Sequence, residues 1–301
     1  MTLQNATMHV HPPTLPDHLV TLQSSDGARI AVSLFGGQLC SWQTSDDREH
    51  LFMSSRAHFD GVQAIRGGVP IIFPQFGAAG TGPRHGFART LEWTLHASTN
   101  EHVDAENDHA ILQLRLNDSA ASKKMFDAEF ALLLTIRFSG TRLSITLDVD
   151  NIGATTLPFC AALHTYLRTN VRSASIRGLQ HCAYRDAVDD GRIKVDNDAS
   201  LIIEREIDRL YFQSASTLEL RSDTGIIALS QSGFTDTVVW NPWADKTKSL
   251  ADCAPDDYLD FVCIEAAVAN QTMHLPPGQR WRGTQSFQVL DMSTSAKGAS
   301  L

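Results

Sequence analysis

The feature that most restricts the fold is a repeated alternation of apolar and polar residues along short segments. Leucine, isoleucine and valine occupy every second position in residues 143–149, and the same pattern occurs in residues 30–34 and 112–116. A period of two places alternate side chains on opposite faces of a β-strand. No window longer than about 12 residues shows the 3.6-residue period of a long helix. The sequence therefore predicts an all-β protein.

Turn-forming residues separate these segments every 8–15 positions, as at Ser139-Gly140 and Asp223–Gly225. Residues 130–138 are almost continuously apolar, which predicts a strand buried on both faces. Many short strands without intervening helices are typical of a large antiparallel β-sandwich or a barrel. Because no linker or change of composition divides the chain, we expect a single β domain over residues 1–301, with an ordered core from about residue 20 to 290.

Composition and charge exclude several classes of partner. The chain has 25 Lys and Arg against 34 Asp and Glu, a formal net charge of −9, which opposes a nucleic-acid-binding surface. No apolar run reaches the roughly 18 residues of a membrane span, and the N-terminus lacks the regions of a signal peptide. Five widely spaced cysteines without a Cys-x-x-Cys pair predict neither a disulfide framework nor structural zinc. We therefore expect a cytoplasmic protein that binds neither nucleic acid nor membrane.

A segment rich in glycine and proline, residues 65–89, contains three arginines and a histidine: Arg66, Arg84, His85 and Arg89. Glycine and proline interrupt regular helices and strands. The resulting loops can bring guanidinium and imidazole groups together as a pocket for a small anion. A solvent-exposed loop with scattered basic residues is the alternative interpretation of this segment.

Two ionisable residues lie in otherwise apolar segments. His164 follows Phe-Cys-Ala-Ala-Leu, and Glu265 lies within Phe-Val-Cys-Ile-Glu-Ala-Ala. Glutamate is almost never fully buried unless it is paired, and burial would raise its pKa and make it a better base near neutral pH. A hydrogen-bonded core histidine and a structural ion pair with an arginine are the alternatives. Because the chain has no P-loop, dinucleotide-binding or Gly-x-Ser-x-Gly pattern, acid–base chemistry is the best-supported function.

Seven segments together resemble the hexose-6-phosphate mutarotase branch of the aldose 1-epimerase family, the glucose-6-phosphate 1-epimerases. In chain order they are IRGGVPIIFPQFG (65–77), RHGFAR (84–89), LHTYLR (163–168), IDRLY (207–211), VVWNPW (238–243), CIEAA (263–267) and LPPGQRW (275–281). The resemblance extends over most of the chain. It implies the distorted antiparallel β-sandwich called the galactose-mutarotase-like supersandwich.

The resemblance also implies roles for individual residues. His164 and Glu265 would be the catalytic pair, with the glutamate as base at O1 and the histidine as acid at the ring oxygen. The phosphate and hydroxyl groups of the substrate would contact Arg66, Gln75, His85, Arg89 and Asp208. The reaction would interconvert the α and β anomers of hexose 6-phosphates, chiefly glucose 6-phosphate, in a monomer that needs no metal and no organic cofactor.

Two alternatives to this function are a mutarotase for unphosphorylated aldoses and a sugar-phosphate-binding protein without turnover. The chain also departs from its relatives at two places. Met125-Phe126 replaces a Trp-Pro pair that many of them have, and Ile207 replaces a common threonine. The second departure leaves the role of Asp208 open.

Overall fold

The computed structural model describes residues 15–16, 18–78, 80, 82–101, 109–214 and 217–290. Strands account for most of the regular structure in these ranges. They are β1 (Val20–Gln23), β2 (Arg29–Ser33), β3 (Gln38–Gln43), β4 (Ile71–Ile72), β5 (Thr94–Glu101), β6 (His109–Asn117), β7 (Phe130–Ser139), β8 (Arg142–Asn151), β9 (Leu157–Leu163), β10 (Tyr166–Arg168), β11 (Ser175–Arg177), β12 (Ala183–Asp186), β13 (Arg192–Val195), β14 (Leu201–Ile202), β15 (Ile207–Tyr211), β16 (Thr217–Ser222), β17 (Gly225–Ser232), β18 (Asp236–Asn241), β19 (Phe261–Leu275) and β20 (Arg280–Leu290).

The helices of the described residues are short. They are α1 (Ala120–Met125), α2 (Trp243–Thr247) and the 3₁₀ turns Ala88–Thr90, Ala187–Asp189 and Asp257–Leu259. None of them has the length and apolar character that crossing a bilayer requires. The predictions of an all-β class and of no long helix are confirmed.

The strands form three antiparallel sheets. A small sheet has the order β1-β2-β3. An eight-stranded sheet has the order β13-β12-β15-β18-β19-β9-β4, with β10 also paired to β19. A nine-stranded sheet has the order β14-β11-β16-β17-β20-β8-β7-β6-β5. This arrangement agrees with the antiparallel sandwich expected from the sequence.

The two large sheets pack against each other through apolar side chains. Phe159 of β9 meets Trp281 of β20 with ring centroids 5.5 Å apart. One cluster of buried apolar residues contains members of both large sheets and of the small sheet. Burial of this surface is the main stabilising contribution to a sandwich of this kind.

Strand β7 differs from the prediction that both of its faces would be buried. Its burial alternates, with Leu133 and Thr135 half-buried and Arg137 exposed. The reason is its place in the nine-stranded sheet between β6 and β8, because only one face of that sheet packs on the core. The prediction was therefore wrong for the face of β7 that carries Leu133, Thr135 and Arg137, which is turned away from the core.

Alternate residues of β19 lie on opposite sides of the eight-stranded sheet. Ile264 and Ala266 belong to the core between the two large sheets. Cys263 and Ala267 belong instead to two separate small clusters. Glu265 lies between these two in the strand, so its side chain is on the face turned away from the nine-stranded sheet.

Candidate active site

Two strands bring His164 and Glu265 together. The last residue of β9 pairs with Ala266 and the first residue of β10 pairs with Cys263, both in β19. Between these two pairs, His164 follows the last residue of β9 and Glu265 precedes Ala266, so His164 lies opposite Glu265. Nε2 of His164 lies 3.3 Å from Oε1 of Glu265. The two candidates, about a hundred positions apart in sequence, are therefore neighbours across one pair of strands.

Aromatic rings enclose the imidazole of His164. It stacks on Tyr166 with centroids 4.9 Å apart and ring planes 14° apart, and Trp240 and His85 approach edge-on at 6.0 and 5.8 Å. The exposed fraction is 11% for the His164 side chain and 1% for that of Glu265. Within the described residues, Nδ1 of the histidine and Oε2 of the glutamate are buried and lack a hydrogen-bond partner. Each group therefore keeps one polar atom able to bond a further group.

Burial decides where the proton of this pair resides. It raises the pKa of Glu265 well above its usual range, with a further rise from Asp208 and an opposing effect of Arg89. Burial also lowers the pKa of His164 well below its usual range, and the neighbouring His85 and Arg89 lower it further. The charged form of each group is disfavoured in a site of low polarity. The favoured state is a neutral pair, with one proton on the carboxyl group.

We expect the imidazole of His164 to remain neutral at pH 6.5 in the folded protein. As the pH falls, it should gain a proton only well below this value, because burial lowers its pKa. In the urea-unfolded protein the same ring should titrate near the ordinary value of about 6.5. The measurement is an NMR pH titration of the imidazole resonances, assigned by comparison with His164→Ala. A folded-state midpoint at or above 6.5 would contradict the neutral pair.

Arg66 is held by an acidic partner. Its Nε and Nη2 donate to the carboxylate of Asp252, both at 3.1 Å, and its Nη1 donates to the Tyr166 hydroxyl at 2.9 Å. The tyrosine, and then the aspartate, raise the pKa of Arg66 above its usual value. Three of its five N–H donors are thus used inside the protein. Arg66 braces the ring that stacks on His164, and Asp252 compensates its charge.

Arg89 is in a different state, since within the described residues no carboxylate forms an ion pair with it. Its Nη2 donates to the backbone oxygen of Arg84 at 2.8 Å, and its buried Nε lacks a partner among the described residues. Burial lowers the pKa of Arg89, and the charges of Arg66 and Arg84 lower it further. An anion beside this guanidinium would relieve both penalties.

His85 lies beside His164, with ring centroids 5.8 Å apart, as an uncharged ring. Its Nδ1 accepts a hydrogen bond from the backbone N–H of Gly77 at 3.3 Å, so the neutral ring carries its hydrogen on Nε2. Burial lowers the pKa of His85 to about 3, with a contribution from the neighbouring arginines. The side chain can therefore donate a hydrogen bond without carrying charge.

Gly86 fixes the loop that carries His85 and Arg89. Its φ is +69°, and a Cβ placed on it would lie 2.0 Å from the backbone oxygen of Phe73. We expect Gly86→Ala to lower the free energy of unfolding by about 1–3 kcal/mol for backbone strain and by a similar amount, about 1–3 kcal/mol, for the overlap. Urea unfolding measures the loss.

Gly278→Ala is the matched control for this prediction. Gly278 has nearly the same φ, +71°, but no atom lies within 4 Å of the added Cβ. It should therefore lose only the strain contribution. Equal losses in the two variants would show that the contact with Phe73 is unimportant.

Gln75 binds the loop before His85. Its Nε2 donates to the backbone oxygen of Gly82 at 3.2 Å, and its Oε1 accepts from the backbone N–H of the same residue at 3.0 Å. It lines a cavity of about 190 Å³ together with Phe126 and Phe159. These contacts hold the loop in shape, and a direct substrate contact of Gln75 stays a prediction.

Asp208 of β15 lies on the same face as Glu265. It is opposite Trp240 of β18, which is in turn opposite Cys263 of β19. Burial raises the pKa of Asp208, and Arg84 opposes this rise. The carboxylate therefore lies where it influences Glu265 and is itself influenced by Arg84. Asp208 therefore lies near Glu265, and Arg84 lies near Asp208.

Among the described residues, His164, Cys263 and Glu265 form a trio of potential metal ligands, with donor atoms within 4.8 Å of one another. The thiolate is the form of cysteine that binds metals. Burial raises the pKa of the Cys263 thiol well above its usual value, and the charge of Glu265 adds to the rise. The thiol is therefore kept protonated, which opposes metal binding here.

Sequence reasoning missed two contributors to this site. Asp252 lies 186 positions from Arg66, in a loop whose local sequence carries no signal of an ion pair. Tyr166 lies in the LHTYLR segment, but its hydrogen bond to Arg66 depends on the fold. Trp240, in the VVWNPW segment, lies edge-on against the His164 ring.

Comparisons with known proteins agree on one family. The sequence model of the family described as aldose 1-epimerase matches residues 18–288. A protein from Cenchrus ciliaris, provisionally named glucose-6-phosphate 1-epimerase, is 30% identical over 281 residues, which cover 91% of this chain and 85% of that protein. A protein of the same provisional name from Escherichia coli K12 is 34% identical over 266 residues, 87% of each chain.

Solved structures show the same fold. A crystal structure from Salmonella typhimurium, provisionally described as a mutarotase, matches with a TM-score of 0.83 at 27% identity, covering 91% of this chain and 90% of that chain. A galactose mutarotase related enzyme from Lactobacillus acidophilus matches with a TM-score of 0.70 at 14% identity, covering 91% and 97%. The second similarity concerns the fold alone. The predicted galactose-mutarotase-like β-sandwich is confirmed.

Proposed function

The chain belongs to the aldose 1-epimerase family, and from this premise we propose that it interconverts the α and β anomers of hexose 6-phosphates, chiefly glucose 6-phosphate. The observation that carries the proposal is the contact between His164 and Glu265, with the unpaired guanidinium of Arg89 in the same site. The names of the relatives support a phosphorylated substrate. Fold similarity alone would not choose the substrate.

Anomer exchange requires an acid and a base that lie close together. A proton leaves the O1 hydroxyl, another reaches the ring oxygen, and the bond between C1 and the ring oxygen breaks to give an open aldehyde. After rotation about C1–C2, the reverse steps close the ring on the other face. O1 and the ring oxygen are bonded to the same carbon. Groups 3.3 Å apart, such as His164 and Glu265, are therefore suitably spaced to serve both oxygens.

The pair needs only one proton to perform this cycle. By resemblance to the family, Glu265 takes the proton from O1 and His164 gives one to the ring oxygen. Burial favours the proton on the carboxyl group, whereas Arg89 lowers the pKa of Glu265 and so favours the carboxylate. Whether the shared proton starts on Glu265 or on His164, the group that holds it donates to one sugar oxygen while the other group accepts from the second oxygen. The pair therefore still holds one proton after ring opening and again after ring closure. Each well-placed group contributes about 10²–10⁴-fold.

The phosphate is remote from C1, so its binding energy serves to orient the sugar. Arg89 supports this role best, because its half-buried guanidinium has a buried Nε without a hydrogen-bond partner and forms no ion pair within the described residues. Arg84 is exposed and adjacent, and can add a second contact. His85 and Asp208 would bond sugar hydroxyl groups. Arg66, already paired, would act mainly by bracing the aromatic wall.

The experiment that tests this function is NMR exchange between the anomeric resonances of glucose 6-phosphate, compared with glucose and with a protein-free blank. We expect exchange above the blank, with kcat/KM higher for the phosphorylated sugar by at least about 10-fold from charge-assisted hydrogen bonds. Equal kcat/KM values would indicate a mutarotase for unphosphorylated aldoses. Binding of glucose 6-phosphate without exchange would indicate a sugar-phosphate-binding protein.

We also propose that the protein works as a monomer in the cytoplasm. The support for the compartment is chemical, because Cys40, Cys160, Cys182, Cys253 and Cys263 are all free thiols. Free thiols persist in a reducing compartment. Sedimentation analysis would test the monomer.

A further inference from the structure

One hydrogen bond of the β-ladder is missing directly beside the catalytic pair. Thr165 lies opposite Ile264, and the backbone N–H of Ile264 donates to the oxygen of Thr165 at 3.1 Å. The N–H of Thr165 does not return this bond, since it donates to the oxygen of Leu163 at 2.9 Å. In a regular antiparallel pair the two residues would exchange both bonds. The chain is therefore bent at the residue that follows His164.

A side chain from the nine-stranded sheet takes the place of the missing bond. Nε2 of Gln285 donates to the backbone oxygen of Ile264 at 3.0 Å. Its Oε1 accepts from the hydroxyl of Thr165 at 2.8 Å. Gln285 is 2% exposed and Thr165 is fully buried. One amide thus satisfies the backbone oxygen of Ile264, which the bend leaves without its ladder partner, and also bonds the neighbouring hydroxyl of Thr165.

We propose that Gln285 is a positioning residue, which holds His164 and Glu265 in contact from the opposite sheet. The inference rests on the proposed function for its catalytic meaning. Thr165 directly follows the histidine, and Ile264 directly precedes the glutamate. The amide therefore ties both halves of the pair to β20, a strand paired along its length with β8 and β17.

Without Gln285, the chain at Thr165 could adopt the regular β-ladder geometry, and this alternative explains why the amide matters for the position of His164. Without the amide, the buried oxygen of Ile264 would lack its side-chain partner, and the hydroxyl of Thr165 would keep only a long bond of 3.5 Å to the oxygen of Leu163, which is costly. The N–H of Thr165 can relieve part of that cost by turning to the oxygen of Ile264, as in a regular ladder. That rotation of the peptide next to His164 would shift the imidazole away from its contact with Glu265.

The first test compares Gln285→Met with wild type in the anomer-exchange assay. Methionine has a similar length and volume but makes neither hydrogen bond. We expect kcat for glucose 6-phosphate to fall by about 10- to 100-fold, as a small misplacement of catalytic groups allows. KM should change by less than about threefold, because the residues proposed to bind phosphate lie elsewhere.

Ser286→Ala is the matched control. Ser286 is the next residue of β20, and its hydroxyl bonds that of Ser144 at 3.0 Å on the other face of the sheet. It should retain the wild-type kcat and KM. A loss equal to that of Gln285→Met would show that any polar change in β20 lowers activity, and would overturn the proposal.

The second test does not depend on catalysis. In the NMR titration, Gln285→Met should raise the midpoint of His164 toward 6.5, since a loosened site admits water, whereas Ser286→Ala should leave it unchanged. If wild type gave no exchange above the blank, the proposed function would fail while this titration still decided the role of Gln285. A folded Gln285→Met with the wild-type midpoint overturns the inference.

Thr165→Val serves if Gln285→Met does not fold. It keeps the side-chain shape and removes the hydroxyl's bond to Gln285 at 2.8 Å, together with its long bond of 3.5 Å to the oxygen of Leu163. We expect smaller changes in the same direction: a kcat lowered by about 10-fold and a higher titration midpoint for His164. Wild-type values for both quantities would contradict the proposal.

Discussion

Glu265→Gln is expected to lower kcat for anomer exchange of glucose 6-phosphate by about 10²–10⁴-fold. Glutamine fills the same volume and can still bond His164, but it can neither take nor give a proton. His164→Ala should cost a similar factor. The double variant should be little worse than either single one, because an acid and a base that act together are not additive. NMR exchange at saturating substrate measures all three.

Cys263→Ala is the matched control for the proposed catalytic pair. Cys263 lies two residues from Glu265 on the same face of β19, is equally buried, and has no part in the proton transfer. It should keep kcat within about threefold of wild type, since no catalytic group is lost. A Glu265→Gln variant that retained the wild-type kcat would remove the glutamate from the mechanism.

Arg89→Ala should raise KM for glucose 6-phosphate by about 10- to 100-fold, the equivalent of one charge-assisted hydrogen bond in a buried site. Free glucose has no phosphate contact to lose, so its kcat/KM should change less. Any effect of Arg89 through the pKa of Glu265 applies to both sugars and cancels in their ratio. The measured quantity is the ratio of kcat/KM for the two sugars. Arg89→Lys should fall between wild type and alanine, since lysine keeps the charge and loses the planar fork.

Arg172→Ala controls for a general loss of positive charge. Arg172 is exposed in the segment between β10 and β11, so its removal should leave the ratio unchanged. If Arg89→Ala lowered kcat/KM equally for glucose and glucose 6-phosphate, phosphate binding by this arginine would be wrong. The argument for a phosphorylated substrate would then depend on the relatives alone.

The fold was largely predictable because its strands follow a simple pattern. In β8 the residues predicted to face inward, such as Leu143 and Ile145, are buried, and the turn residues between segments mark the hairpins. The error in β7 has a physical cause. Leu133 is apolar but half-buried on the open face of the sheet, and an apolar residue alone does not show which face packs on the core.

The site was predictable in part. His164 and Glu265 could be selected because each is an ionisable residue in an apolar strand, but their contact depends on how β9, β10 and β19 pair. The same holds for the partner of Arg66, which lies far away in sequence. Gln285 did leave a signal in the sequence. It lies four residues after Trp281 in β20, so both side chains are on the buried face of the strand. A polar residue at an inward position predicts a buried hydrogen bond.

A crystal structure of Glu265→Gln with glucose 6-phosphate tests most directly whether the acid, the base and the cation converge on one sugar. The account predicts that C1 lies at the contact between His164 and residue 265, with O1 and the ring oxygen within hydrogen-bond distance of their side chains. It also predicts the phosphate at Arg89. A sugar bound with its phosphate against His164, or in another cavity altogether, would contradict it.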